Sequence, residues 1–250
     1  MPRLNKAEKK RLKKLTGAYL LSLFLLLALI TSVHASVTMR AIIDQDVCVN
    51  FNFTNINSTI YWKIKNENLI TDLTIPNIIL ENFEQQNLSV HSYFPEPPLE
   101  FNDSARSIRA AFCLYGSDIL NFTFNPESMN RTYYFRTEWR KFHINLTNGI
   151  SLDFNKYFGM PVDQWPKINY PLNGKVHPAY YHNFTGQSPF DPACYFVLPA
   201  EATNVQAVAD TIIFELPPSF EDSMLNSPFL ILGALIVVNI AFIVYRKVRK

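Results

Sequence analysis

The C-terminal segment constrains the fold most, because it contains an apolar run interrupted only by Asn239. Residues 228–244 read PFLILGALIVVNIAFIV, and four basic residues lie among the last five of the chain. A helix of these seventeen residues is about 26 Å long, just enough to cross a hydrocarbon core. We therefore expect a transmembrane helix at 228–245. Because basic residues stay on the cytoplasmic side, residues 246–250 are expected to form a cytoplasmic tail.

A second apolar segment lies near the N-terminus. Residues 1–35 carry seven Lys and Arg residues and one Glu, and residues 18–30 are apolar apart from Ser22. Val33 and Ala35 fit a small-x-small cleavage site, so we predict a cleaved signal peptide at 1–35. The alternative is an uncleaved signal anchor with a helix at 17–33. Both alternatives place residues 36–218 in the lumen or outside the cell, joined to the membrane by a tether at 219–227.

The charge of the intervening chain differs from that of its ends. Residues 36–227 hold 12 basic and 20 acidic residues, although the whole chain has a net charge of +2. A protein that binds nucleic acid through phosphate contacts needs a basic surface. We therefore expect no nucleic-acid partner.

Eight N-x-S/T sequons lie between the two apolar segments. Apolar and polar residues alternate in 47–54, 120–124 and 142–147, which places the sequon asparagines there on the solvent face of a strand. The pattern predicts N-glycosylation at Asn52, Asn57, Asn87, Asn102, Asn121, Asn130, Asn145 and Asn183.

Short alternating segments predict a mainly β fold, an antiparallel β-sandwich-like domain. The predicted strands are 37–43, 46–54, 59–65, 109–115, 118–124, 132–137, 140–147, 193–198 and 211–216. Residues 69–80 contain Pro76, which indicates a broken or edge strand. Residues 81–103 are expected to form a long loop. Residues 149–192 are expected to be irregular and to be the best place for a loop-hosted binding site.

Three cysteines lie in the predicted oxidising compartment, so one disulfide is expected and one thiol remains. The single pair can form in three ways. We favour Cys113–Cys194, because this bond would tie a late strand back to the preceding meander. Cys48 is then unpaired, and its pairing with either of the others stays as the alternative.

Few residues suggest chemistry. His177, His182, Asp191 and Cys194 come nearest to a metal cluster, but their spacing matches no structural zinc pattern. We interpret the histidines as surface residues of a loop. Residues 136–141 mix charge with an aromatic ring, and we interpret them as a solvated strand end rather than a phosphate or glycan site. The chain has no G-x-S-x-G nucleophile motif. We expect no enzyme activity, no cofactor, no metal and no small-molecule substrate.

The apolar C-terminal run contains the polar residue that most suggests a partner. An amide in hydrocarbon is costly and tends to hydrogen-bond to another helix, and small residues allow close helix approach. Asn239 and Gly233 are therefore predicted to contact a partner helix.

Short blocks resemble two families. Cys113 with residues 120–123, and residues 226–230, resemble blocks of the glycosylated accessory subunits of lipid flippases. Residues 142–143, 180–182 and 196–199 are similar to fragments of the accessory subunit of the first mannosyltransferase of GPI-anchor synthesis. The spacing differs from both families, and we adopt neither. Both resemblances imply the same type of protein, a small glycoprotein that stabilises a multi-spanning enzyme.

These observations together predict a class of function. We expect a non-catalytic accessory or chaperone subunit of a multi-spanning membrane protein in the endoplasmic reticulum. It would contact this integral membrane partner through its transmembrane helix and its lumenal domain. The first alternative is a cell-surface or viral recognition glycoprotein that binds a ligand through residues 149–192. The second alternative is a lumenal hydrolase or transferase.

Overall fold

The structure, a computed structural model, describes residues 35–125, 130–147, 150–183, 190–218 and 228–248. The predicted signal segment, apart from Ala35, and the predicted tether at 219–227 lie outside the described residues.

The described residues form fourteen strands and four α-helices. The strands are β1 Ala35–Ile43, β2 Val47–Thr54, β3 His91–Tyr93, β4 Leu99–Asn102, β5 Ser107–Tyr115, β6 Leu120–Phe124, β7 Arg131–Arg136, β8 His143–Thr147, β9 Ile150–Asp153, β10 Lys167–Leu172, β11 Lys175–Asn183, β12 Phe190–Val197, β13 Thr203–Val208 and β14 Thr211–Leu216. The helices are α1 Ser58–Asn66, α2 Thr74–Glu84, α3 Phe154–Phe158 and α4 Pro228–Val248. Single 3-10 turns cover Glu138–Arg140 and Val162–Gln164.

The strands form two main sheets. The larger sheet has the order β10-β11-β12-β1-β2-β5, and both β3 and β4 pair with β5. The smaller sheet has four antiparallel strands in the order β13-β14-β7-β6, while β8 and β9 form a separate pair. The predicted mainly β fold with antiparallel sheets is therefore confirmed. One pair departs from it, because β1 and β12 run parallel and make the larger sheet mixed.

Alternation along the central strands determines which side chains enter the core. Met39, Phe51 and Phe112 lie on one face of β1, β2 and β5 and are buried, while Asn52 and Arg109 lie on the other face and are exposed. We call this second face the outer face of the larger sheet. The core spans both sheets, as the rings of Phe135 and Phe196 pack edge to face with centroids 5.4 Å apart.

Residues 59–65 were predicted as a strand, and this prediction is wrong because the segment is helix α1. Asn57 caps the helix, its side-chain oxygen accepting from the Thr59 N–H at 2.9 Å. Tyr61 and Ile64 are the buried residues and lie three positions apart, which is a helical spacing. The β-branched and aromatic residues of this segment favour a strand in isolation, and packing overrides that preference.

The predicted broken strand at 69–80 is also wrong. Helix α2 occupies most of this segment, and Pro76 lies in its first turn, where a missing N–H breaks no helical hydrogen bond. Ile75, Ile79 and Phe83 are buried at intervals of four residues and attach the helix to the core. The predicted loop at 81–103 contains the end of α2 and the short strands β3 and β4.

The irregular segment predicted at 149–192 is largely regular where the structure describes it. It contains β9, α3, β10 and β11, so the prediction is wrong. Asn173 and Gly174 join β10 to β11 as a two-residue turn with φ values of 50° and 77°. An Asn-Gly turn with both φ values positive is typical of a tight hairpin. Pro171 is tolerated because β10 is an edge strand.

Helix α4 contains the predicted transmembrane segment and is 21 residues long. Over the part of the chain that the structure describes, no helix meets both the length and the apolar content required to span a membrane.

Candidate functional site

The sequon asparagines, which are the predicted glycosylation sites, are almost all exposed to solvent. Seven of the eight are exposed and Asn130 is half-buried. Asn52, Asn102 and Asn183 project from the outer face of the larger sheet, as the strand register shows. Asn121 lies on the smaller sheet, opposite Tyr134. Glycans on these residues would therefore cover broad sheet surfaces rather than the core.

Several of these asparagines also have a structural role that a glycan would not disturb. The side-chain oxygens of Asn57, Asn102 and Asn121 accept backbone N–H groups nearby, at 2.8–3.0 Å. A glycan is attached through the amide nitrogen, so these acceptor bonds remain. Asn130 differs, because its amide nitrogen donates to Glu215 at 3.3 Å. Modification of Asn130 would replace that donor.

The disulfide joins Cys48 to Cys113, so the favoured Cys113–Cys194 pairing is wrong. The two cysteines lie directly opposite each other on the antiparallel strands β2 and β5. Cys194 instead faces the core from β12 and is completely buried. Burial raises the pKa of the Cys194 thiol well above its usual value, and the charge of Arg140 opposes this shift only in part. A buried neutral thiol of this kind is chemically inert.

The two candidate metal-binding histidines lie on strand β11, not in a loop, so their interpretation as loop residues is wrong. They are five positions apart, and an odd interval places His177 and His182 on opposite faces of the strand. A ring nitrogen of His177 lies 2.8 Å from the Leu198 carbonyl oxygen, and His182 stacks on Trp165 with centroids 5.3 Å apart. Among the described residues, no group of three or more His, Cys, Asp or Glu side chains could hold a metal ion.

A buried arginine is the most elaborate polar feature of the described chain. Arg140 has an exposed fraction of 0%. Its Nε donates to Phe158 O, one terminal nitrogen donates to both oxygens of Thr137, and the other donates to Met160 O and Asp210 Oδ1, all at 2.7–2.9 Å. All five N–H groups of the guanidinium thus have an acceptor. Residues 136–141 are therefore not a solvated strand end.

The carboxylate of Asp210 is the charge partner of this arginine. It also accepts from the Lys141 ammonium and from the Val162 N–H. Burial alone would raise the pKa of Asp210, but the hydrogen bonds from Lys141 and Arg140, together with their charges, lower it below its usual range. The nearby Arg136 pairs with Glu138 at 3.5 Å. These cations have carboxylate partners inside the chain, which gives the motif a structural role.

A tyrosine cluster on the outer face of the larger sheet was not predicted from the sequence. Tyr195 stacks on Tyr181 with centroids 4.5 Å apart and meets Tyr170 edge to face at 5.5 Å. Arg40 donates to the Tyr170 hydroxyl at 3.1 Å. Burial, followed by the hydrogen bond to Tyr181, raises the pKa of Tyr195 to about 12. The Asn-Gly turn that pairs β10 with β11 was the signal that could have placed these residues on one face.

Two of the cavities in the described part of the chain offer little chemistry. An apolar cavity of ≈ 30 Å³ lies between Ala35, Ile60 and Ile70, which is space for about one water molecule. A wider, open groove of ≈ 560 Å³ is lined in part by Lys167, Asn204 and Glu215. Lys167 donates to the Val205 carbonyl and Asn204 donates to Glu215, so these polar groups bind each other.

The two predicted partner-helix residues lie on α4. The Asn239 side chain is exposed, and its amide donates to the Leu235 carbonyl one turn earlier at 2.7 Å. Nothing lies within 4 Å of the position that a Cβ would take at Gly233. Helical geometry places these two residues about 120° apart around the axis. One straight helix–helix seam would therefore not include both.

The comparisons with known proteins return no relative. No protein-family model, no curated protein and no solved structure matches this chain.

Proposed function

We propose that the chain is a non-catalytic glycoprotein of the secretory pathway that acts as an accessory or chaperone subunit of a multi-spanning membrane protein. In this proposal residues 1–35 are the signal peptide, residues 36–218 form the lumenal domain, and residues 228–245 cross the membrane of the endoplasmic reticulum. The basic ends of the chain and the restriction of its sequons to the intervening residues support this topology. A short apolar span suits the thinner reticulum bilayer.

The observation that carries the accessory role is the exposed amide of Asn239 within an apolar helix. One N–H of this amide is used by the Leu235 carbonyl. An asparagine side chain has a second N–H and an oxygen with two lone pairs, so most of its hydrogen-bonding capacity remains. In hydrocarbon these groups are satisfied best by a polar group on another helix, which favours a partner that also spans the membrane.

The placement of the sequons supports a limited contact surface on the lumenal domain. Asn52, Asn102 and Asn183 are exposed on one sheet face, and Asn121 is exposed on the smaller sheet. Occupied glycans there would exclude a protein partner from much of these faces. A lumenal contact would then use the sheet edges and the surfaces that carry no sequon.

A recognition glycoprotein remains the second candidate, because one observation favours it. Tyr170 and Tyr181, with Arg40, form a partly exposed aromatic surface, and both tyrosines belong to the segment first assigned to ligand binding. Tyrosine and arginine are among the residues that are enriched at binding hot spots. Asn183 lies two residues from Tyr181 on the same face, so a glycan there would border the surface.

Affinity purification in mild detergent, followed by mass spectrometry, tests the accessory role. The full-length chain would be compared with Asn239→Leu and with a matched control, Val238→Leu, whose side chain is also exposed on α4 but points about 100° away. We expect a stoichiometric multi-spanning partner with the wild type and Val238→Leu. The affinity for this partner, and with it the recovery, should fall about 5- to 30-fold with Asn239→Leu, because one lost interhelical contact contributes about 1–2 kcal/mol.

The type of glycan separates the two candidate functions. Sugars sensitive to endoglycosidase H would indicate residence in the reticulum and support the accessory role. Complex sugars on a chain that is recovered alone would contradict it. Substitution of Tyr181 and Tyr195 by serine would then test the recognition surface.

A further inference from the structure

An aromatic strip crosses the smaller sheet from β14, at the core, to the edge strand β6. Phe214, Tyr133 and Phe122 lie side by side on β14, β7 and β6, with ring centroids 5.2 and 5.5 Å apart. Phe214 is fully buried, whereas Phe122 is 46% exposed and Phe124, two residues further along β6, is 39% exposed. The apolar face of the sheet therefore extends beyond the core that covers it.

The exposed phenylalanines of this strip lie at the end of the sheet where the chain leaves β14 toward α4. Leu216, the last residue of β14, pairs with Arg131, and Arg131 pairs with Phe124. These three residues form the last row of the sheet. The guanidinium of Arg131 lies over the Phe122 ring, 4.7 Å from its centroid. Cation and aromatic groups are thus combined on the exposed edge.

The strip is close in sequence to the proposed membrane helix. Eleven residues separate Leu216 from Pro228, where α4 begins. Fully extended, they span at most about 40 Å, so the end of the sheet stays within that distance of the membrane surface. A segment tethered this closely has a high effective concentration at the surface, and a weak contact is then sufficient for docking.

The two faces of the smaller sheet differ in a way that leaves the strip accessible. Asn121, a sequon residue, pairs with Tyr134 and projects from the face opposite the strip. A glycan on Asn121 would extend away from the phenylalanines. Phe122 and Phe124 are exposed, whereas Leu216 is half-buried and packs against the core. Exposed aromatic side chains next to a cation are residue types that bind the boundary between lipid headgroups and acyl chains.

We infer that the exposed end of the strip, Phe122 and Phe124 with the neighbouring Leu216 and Arg131, docks on the lumenal surface of the lipid bilayer. The inference rests on the proposed function, because it requires α4 to anchor the chain in a membrane. Docking would fix the orientation of the domain above the bilayer and would turn the opposite, sequon-bearing face of the smaller sheet away from the lipid.

The test uses tryptophan quenching by brominated lipid. Full-length Phe124→Trp and Tyr134→Trp would be placed in phosphatidylcholine nanodiscs with and without brominated acyl chains. Tyr134 is 37% exposed on the opposite face, so it is a matched control for Phe124. The wild type supplies the background of the three native tryptophans. Phe122→Trp, which keeps the sequon 121–123, provides a second variant if Phe124→Trp does not fold.

We expect the emission added by Phe124→Trp or Phe122→Trp to be quenched at least about twofold more than the emission added by Tyr134→Trp, since only the strip enters the bilayer boundary. Equal quenching in all variants would overturn the inference. Emission that is blue-shifted but insensitive to bromine would also overturn it, because a protein partner or a second copy would then cover the strip. Extraction of the wild type by alkaline carbonate would instead refute the membrane anchor, and with it the proposed function.

Discussion

Removal of the Asp210 carboxylate should be among the most destabilising single changes in this chain. Asp210→Ala leaves the fully buried Arg140 without its charge partner and removes the acceptor used by Lys141 and by the Val162 N–H. Breaking a buried ion pair by removing one partner costs about 3–5 kcal/mol, because an uncompensated charge stays buried. The other four hydrogen bonds of Arg140 hold the guanidinium in place, so it cannot simply turn to solvent.

The magnitude can be checked by thermal unfolding of the full-length protein in detergent. For a chain of this size about 1 kcal/mol shifts the midpoint by about 2–4 °C, so the expected decrease is roughly 6–20 °C. Trp165 is a suitable fluorescence reporter, because the Arg140 guanidinium lies 5.1 Å from its ring centroid. Asp210→Asn should have an intermediate effect, since it keeps an oxygen acceptor but not the charge.

The matched control is Glu201→Ala. Glu201 pairs with Lys175 at 2.9 Å on the surface, where both side chains are exposed. An exposed pair of this kind contributes at most about 1 kcal/mol. If Asp210→Ala lowered the midpoint no more than Glu201→Ala does, the argument that the buried pair stabilises this fold would be refuted.

Three further predictions concern the disulfide, the sequon at Asn130 and the acid dependence of Asp210. Cys48→Ser should lower the free energy of unfolding by about 4 kcal/mol, the chain-entropy value for a loop of 65 residues. Cys194→Ala removes only a buried thiol and should cost about 1 kcal/mol. Chemical denaturation measures both values, and a larger loss for Cys194→Ala than for Cys48→Ser would contradict the Cys48–Cys113 pairing. Asn130→Gln should remove no glycan mass, whereas Asn52→Gln should remove one glycan. Among the eight sequon asparagines, only Asn130 is half-buried and donates its amide to a carboxylate. Equal losses of glycan mass in the two variants would contradict this prediction. The lowered pKa of Asp210 contributes stability that is present above about pH 4 and is lost as the pH falls through the folded-state pKa. The wild type should therefore lose stability in acid more steeply than Asp210→Asn. Parallel acid-unfolding curves of the two proteins would contradict this prediction.

Several strands that were predicted correctly have a local period of two. In β1 and β2 buried residues alternate with partly or fully exposed ones along the sequence, so each strand carries its own signal. The strand predicted at 211–216 coincides with β14 for the same reason. Strand β5 differs, because residues 110–114 are all buried and its apolar run alone indicates a strand. Such segments need no knowledge of their neighbours to be recognised.

The failures occurred where a local preference conflicted with a longer-range contact. The β-branched and aromatic residues of α1 favour a strand, yet Tyr61 and Ile64 reach the core only from a helix. Pro76 was interpreted as a strand breaker, although a first helical turn tolerates proline. Pro171 and Pro178 obscured the β10–β11 hairpin, which its Asn-Gly turn would have indicated.

Sequence alone determined the predicted topology of this protein, because apolar length, terminal charge and sequons are local properties that need no partner. Sequence also indicated the exposure of Asn52, Asn121 and Asn145, since alternation along a strand decides the face. Only the tertiary structure decided that Cys48 bonds to Cys113 and that Arg140 is buried against Asp210. Each of these contacts joins residues at least 65 positions apart. Their proximity depends on strand order and register, which the packing of the whole core determines.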